Sequence, residues 1–132
     1  MRRGMSGVTL IELAVASAMA AVLAAMAWPA FDQQLRQGRR ADATAALTKL
    51  QFAQARHHAA HGLFAPDLAT LAAAPRSAEG LYTIELRAEH DGYAAVAHAQ
   101  GAQARDRGCE RIELIVRDGF AHHGPSPRCW GR

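Results

Sequence analysis

The 132-residue sequence predicts an α+β chain. One long N-terminal helix carries an antiparallel sheet of three or four strands, and a disulfide closes the C-terminal region. Three observations lead there. An apolar run, SGVTLIELAVASAMAAVLAAMAWPAF, passes without a firm stop into a second helical pattern. Short segments of alternating apolar and polar residues follow, with Asp-Gly turn signals between them. Two cysteines, Cys109 and Cys129, stand near the end.

The first element is a hydrophobic helix over residues 8–31, in which Glu12 is the sole charge. At ~1.5 Å per residue it spans ~36 Å, enough for a bilayer core of ~30 Å. Residues 1–7, MRRGMSG, form a basic leader. In a secretory signal the apolar stretch comes before the cleavage point. Here Gly7 comes before the apolar stretch, so a cut after Gly7 would keep the helix on the mature protein and make Val8 its N-terminus. Glu12 would then lie one helical turn from a new α-amino group. A carboxylate in lipid is costly and usually marks a partner. The natural partner is the ammonium of Val8, its own or that of a neighbouring copy. The plainer alternative is a signal anchor with a tolerated Glu. Pro29 lacks an N–H and is expected to kink or loosen the helix. The many alanines and Ser17 allow close approach of other helices.

The region 32–132 reads as the head. Residues 32–61 continue as helix, with Ala43, Leu47, Leu50, Ala53 and His57 as a buried stripe and Arg36, Arg39, Arg40, Asp42 and Lys49 on the solvated side. Gly62 is a natural stop. Residues 62–80 form a loop broken by Pro66 and Pro75. The sheet and C-terminal disulfide region occupy 81–132. LYTIELR (81–87) places Tyr82, Ile84 and Leu86 on one face, and YAAVAHA (93–99) makes a weaker strand. RIELIVR (111–117) sets Ile112, Leu114 and Val116 against Arg111, Glu113 and Arg117, and Asp118-Gly119 turns into a short FAH strand. The tail HHGPSPRCWGR has little structure of its own. A Cys109–Cys129 bridge, expected of an exported chain, would pin it back and stabilise by ~3 kcal/mol. Two free thiols in a cytosolic protein are the alternative. Trp130 would then cover the sheet edge or lie exposed.

Charge narrows the function classes. The formal net charge is +3, of which Arg2 and Arg3 belong to the leader, so the mature chain is near 3 − 2 = +1. The basic balance is therefore poor evidence for a nucleic-acid partner. His57, His58 and His61 form HHxxH. His57 and His61 lie one turn apart, but no clear third ligand follows and H-E-x-x-H is absent, so helix-end histidines are expected and no metal. No nucleophile–base pair, phosphate-binding glycine loop or paired catalytic carboxylates stand out. No enzyme and no cofactor are expected. Arg105, Arg107, Arg111, Arg117, Arg128 and Arg132 crowd the C-terminal third. Among these, Arg117 and Arg128 with Trp130 are candidate DNA contacts, through phosphates and base stacking. A solvated sheet edge balanced by Asp106, Glu110, Glu113 and Asp118 is the preferred reading.

The string G-V-T-L-I-E-L, with its short basic leader, apolar run and Pro29, resembles the prepilin-type processing motif of type IV pilins and pseudopilins. R-R-A-D-A-x-x-A-L, Y-T-I-E-L, the D-x-x-C of Asp106–Cys109, I-x-L-I-V-x-D-G and the final C-W extend the resemblance to PilE-type minor pilins. It implies the type IV pilin fold, cleavage after Gly7 by a prepilin peptidase, N-methylation of Val8, and assembly through Glu12 and Pro29. It implies a precursor in the bacterial inner membrane with its head in the periplasm, then a cell-surface pilus. The implied partners are other pilin subunits, the peptidase, the inner-membrane assembly platform and, before assembly, the membrane. The implied work is structural, in pilus biogenesis, motility, adhesion or DNA uptake. A type II secretion pseudopilin and a DNA-binding competence subunit at the pilus tip are the alternatives. The departures are Val8 in place of the usual Phe, the Ala-rich helix, and His57 and His58 where relatives often carry aromatics.

Overall fold

A computed structural model describes residues 7–132; the leader arginines Arg2 and Arg3 lie outside the described residues. The order is α1 (Leu10–His61), β1 (Tyr82–Glu89), β2 (Gly92–Ala99), a 3-10 turn (Gly101–Arg105), β3 (Arg111–Arg117), β4 (Phe120–Gly124) and a last 3-10 turn (Pro127–Trp130). The four strands form an antiparallel meander in the order β1-β2-β3-β4. This is the α+β architecture of type IV pilins, with Cys109 and Cys129 joined.

The chain divides into two compact units, meeting between Gln34 and Leu35. In the first unit no described side chain is buried, and Leu10, Ile11, Met26 and Trp28 are among the exposed apolar residues. The helix is long and apolar enough to cross a membrane. It runs as helix through Pro29. Thr9 and Glu12 start it: the Glu12 amide donates to Thr9 Oγ1 at 3.3 Å, and the Thr9 amide reaches Glu12 Oε2 at 3.5 Å. This is a capping box, in which N-cap and third helical residue satisfy each other's free amides. Ser17 Oγ donates back to the Leu13 carbonyl at 2.8 Å.

In the second unit the helix stripe does what its periodicity predicts. Ala43, Leu47 and Leu50 are buried against Tyr82, Ile84, Leu86, Tyr93, Ala95, Ala97, Ile112, Leu114 and Val116. Ala95 and Ala97 of β2 are fully buried in that core. Alternation sends Thr83, Glu85, Arg87, His98, Arg111, Glu113, Ile115 and Arg117 to the opposite face. Asp118 and Gly119, both with positive φ (51° and 79°), make the two-residue turn into β4. Gly92 is required by packing, because a Cβ there would collide with the Val116 carbonyl.

Two expectations for the helix change. The stripe ends at Gln54, which is fully buried, whereas His57 is part-exposed. The Gln54 amide both donates to the Ala65 carbonyl (2.9 Å) and accepts from the Ala65 amide (2.8 Å), fastening the loop after Gly62 to the helix. Asp42 and Arg40 do not mark a solvated side. Asp42 is buried and accepts from the Glu79 amide at 3.1 Å. Arg40 turns inward to Asp106, whose burial likewise removes it from any solvated edge.

Candidate functional site

The segments that meet at the disulfide are far apart in sequence. Cys109 and Cys129, 20 residues apart, bring their Cα atoms to 5.6 Å. Beneath them lies a polar brace. Arg40 makes a two-pronged bond to Asp106, Nε to Oδ2 and Nη2 to Oδ1, both 2.7 Å. Only 12% of the Arg40 side chain and 5% of that of Asp106 are exposed. The third guanidinium nitrogen, Nη1, donates to the Arg128 carbonyl at 3.1 Å. The bond to Asp106 holds Arg40 still more firmly protonated than usual. Buried Gln103 ties the same brace to the helix and sheet: its amide nitrogen reaches the Arg36 carbonyl (3.0 Å) and the Tyr82 hydroxyl (2.9 Å). Burial pushes the Tyr82 phenol up, and the Gln103 bond partly opposes that.

Because Asp106 is spent on Arg40, it no longer offsets its neighbours. Arg105, Arg107, Arg128 and Arg132 are exposed, and among the described residues none forms an ion pair. Glu110 is the remaining carboxylate of this loop, and it accepts from the Gly108 amide at 2.8 Å. The Arg128 guanidinium lies over Gly108, in the space a Cβ would need, and Gly108 has φ of 81°. The two loops joined by the disulfide therefore carry four exposed arginines with no ion-pair partner among the described residues, and make this end positive.

The outer sheet face also carries arginines, with a different outcome. Arg87 meets Glu85 at 2.7 Å, Arg111 meets Glu113 at 3.5 Å, and Arg117 meets Glu89 at 2.8 Å. His98 also meets Glu85, at 3.2 Å. The bonds from Arg87 and then His98 hold the Glu85 carboxyl below its usual range, and the Arg117 bond does the same for Glu89. At the turn end of the head a groove of about 760 Å³ is lined by His58, Phe64, Tyr93, Glu89, Asp91 and Asp118. Its carboxylates make it a poor place for phosphates. Burial pushes Tyr93 there up to about 12.

The structure separates the three candidate DNA contacts. Arg128 stands on the positive surface. Trp130 is half-buried beside β4; its Nε1 donates to the Gly124 carbonyl at 2.9 Å and its ring meets His123 edge-on at 4.4 Å. That burial, with the charges of Arg132 and His122, lowers the His123 pKa. Arg117 lies elsewhere. Gly124 pairs with Glu113, and Arg117 is four residues further along β3, ~13 Å away at strand spacing. At the other end of the chain, Gly7 and Val8 are exposed before the helix begins, and Glu12 sits in the capping box. Sequence reasoning missed Arg40, Asp106, Gln103 and the capping box. Only the last had a local signal, the T-x-x-E spacing of Thr9 and Glu12. Among the described residues no group of three or more metal-binding side chains assembles.

No curated protein matches the chain. A protein-family model described as "Type IV minor pilin ComP, DNA uptake sequence receptor" matches residues 29–113. The matched span begins at Pro29 and takes in the helix stripe, Arg40, β1, β2, Cys109 and the start of β3; Arg117, Arg128 and Trp130 lie beyond it. A long helix capped for an apolar environment, a four-stranded meander on its second half and a disulfide-closed tail agree with that match, and the chain belongs to the type IV minor pilin family ComP.

Proposed function

We propose that this minor pilin is a DNA receptor of the competence pilus, and that it meets DNA with its disulfide-closed end. The observation that carries the reading is the set of four unpaired arginines, Arg105, Arg107, Arg128 and Arg132, on a surface whose one buried carboxylate is already neutralised. The family description names a DNA uptake sequence receptor, which favours this role over motility or adhesion alone and over a secretion pseudopilus. Phosphate contacts of this kind supply affinity and position but no sequence information. Trp130 sits beside the surface as a wall, since its indole N–H is already spent.

The test is duplex-DNA binding by the detergent-solubilised chain across a salt series. Replacing Arg105, Arg107 and Arg128 together by Ala should lower the slope of log affinity against log salt by about 3, one per lost phosphate contact. Absence of binding at low salt would remove the receptor reading and leave family membership untouched.

The assembly half of the proposal concerns the other end. Cleavage after Gly7 and methylation of Val8 would yield a charged amine one turn from Glu12. In the precursor Glu12 caps its own helix. After cleavage the carboxylate gains an ammonium partner, which sets the axial offset between neighbouring helices. Before cleavage the helix anchors the precursor in the inner membrane with the head in the periplasm, and the mature chain later joins the pilus. Glu12→Ala should still be cleaved but should be missing from sheared pili by immunoblot; normal incorporation would rule out the pairing role.

A further inference from the structure

The groove at the turn end of the head has no part in the roles above. It encloses about 760 Å³. Part of its lining is aromatic: Phe64 stacks on His58 at 4.4 Å and meets Tyr93 at 5.2 Å. Tyr93 is only 1% exposed, yet its hydroxyl finds no hydrogen-bond partner among the described residues. A buried hydroxyl left without a partner is uncommon, and this one belongs to a residue lining open space. Around it stand three carboxylates. Glu89 is held by Arg117 at 2.8 Å. Asp91 has only the His90 ring, 3.9 Å away, and Asp118 forms no ion pair among the described residues. Leu63, also in the lining, is exposed.

We propose that this groove receives an arginine from the disulfide end of a second copy of the chain. Ionised carboxylates only accept hydrogen bonds, and a phenol oxygen can accept one. A guanidinium only donates, through five N–H groups in a planar fork. The groove therefore offers what an unpaired arginine lacks, and the other end of the same head carries four of them, Arg105, Arg107, Arg128 and Arg132. The two ends are too far apart for one head to fill its own groove. Arg40, beneath the disulfide, and His58, in the groove lining, lie ~27 Å apart along α1 at helical rise. The arginine must come from another molecule, with apolar Leu63 beside its stem. Two different patches meet in such a contact, so it is heterologous: it extends from copy to copy and does not close as a two-fold pair.

The test is sedimentation of the full chain in density-matched detergent, without DNA, at low and high salt. Absence of self-association would thus leave DNA binding standing, and the reverse. Wild type should associate at low salt and come apart as salt rises, whereas contacts through the apolar helix are indifferent to salt. Asp91→Asn with Asp118→Asn removes the free groove charges, and Asn tolerates the positive φ of residue 118. Changing Arg105, Arg107, Arg128 and Arg132 to Gln removes the other half. Each variant alone should lose the salt-sensitive association at least ~10-fold. Mixed in equal amounts they should recover it as dimers and go no further, since one keeps its arginines and the other its groove. Tyr93→Phe, which deletes only the hydroxyl, should weaken the wild-type contact. Salt-insensitive association, variants that stay apart when mixed, or undiminished association of the double Asn variant would overturn the proposal. So would a wild-type chain that stays apart while its groove binds an arginine-rich peptide, which would make another protein the occupant.

Discussion

Two surfaces of the head carry similar numbers of arginines and arrive at opposite electrostatic results. On the outer sheet face, cross-strand and same-strand neighbours give Arg87, Arg111 and Arg117 each a glutamate within 3.5 Å. At the disulfide end, Asp106 is drawn inward by Arg40, and Arg105, Arg107, Arg128 and Arg132 are left over. A phosphate approaching the sheet face must displace a carboxylate. One approaching the disulfide end displaces counterions, whose release favours binding. The lesson is that the arginine count of a region says little; what matters is which carboxylates the fold has already used.

The comparison can be broken at the brace. Arg40→Ala would strand buried Asp106 and should cost about 3–5 kcal/mol in chemical unfolding, a large share of the stability of a domain this size. Arg40→Lys keeps the charge without the two-pronged geometry and should fall between. A wild-type midpoint for Arg40→Ala would mean that Asp106 is not held as described. Next in size is the disulfide. Replacing Cys109 and Cys129 by Ser should cost ~3 kcal/mol and separate the two loops that share the positive surface. DNA binding in the double variant should weaken even where the head remains folded by circular dichroism. Unchanged affinity would place the interface on one loop alone.

The smallest effect sharpens the contrast. Arg117→Ala removes a sheet-face arginine whose charge is already matched by Glu89. Its DNA affinity should stay within about twofold of wild type and its salt slope should not change, since no released phosphate contact is lost. The pair is exposed, so the melting midpoint should hold as well. A slope reduced by about one would move the interface onto the sheet.

Much of the architecture was legible from local pattern. Tyr82, Ile84 and Leu86 alternate in the sequence and are buried in that order. Leu47 and Leu50 follow helical spacing and meet them in the core. Asp118-Gly119 and Gly62 mark their turns because a positive φ there favours such residues. The site was less legible. Arg40 and Asp42 sit in a polar string that looks solvated, and only the return of the chain to Asp106 and Glu79 turns them inward. Trp130 was readable as a cover for the sheet edge or an exposed ring; its bond to Gly124 selects the first.

The sequence by itself determined the elements: where the helix starts and stops, which face of each strand is apolar, and that Glu12 stands in an oily segment one turn from Val8. Those features depend on residues within a turn or two of one another. Only the tertiary structure decided which charges remain free. Pairing Arg40 with Asp106 joins residues 66 positions apart, and the disulfide sets Arg128 over Gly108. No local periodicity encodes such contacts, because they exist only once the core has packed and brought the chain back on itself.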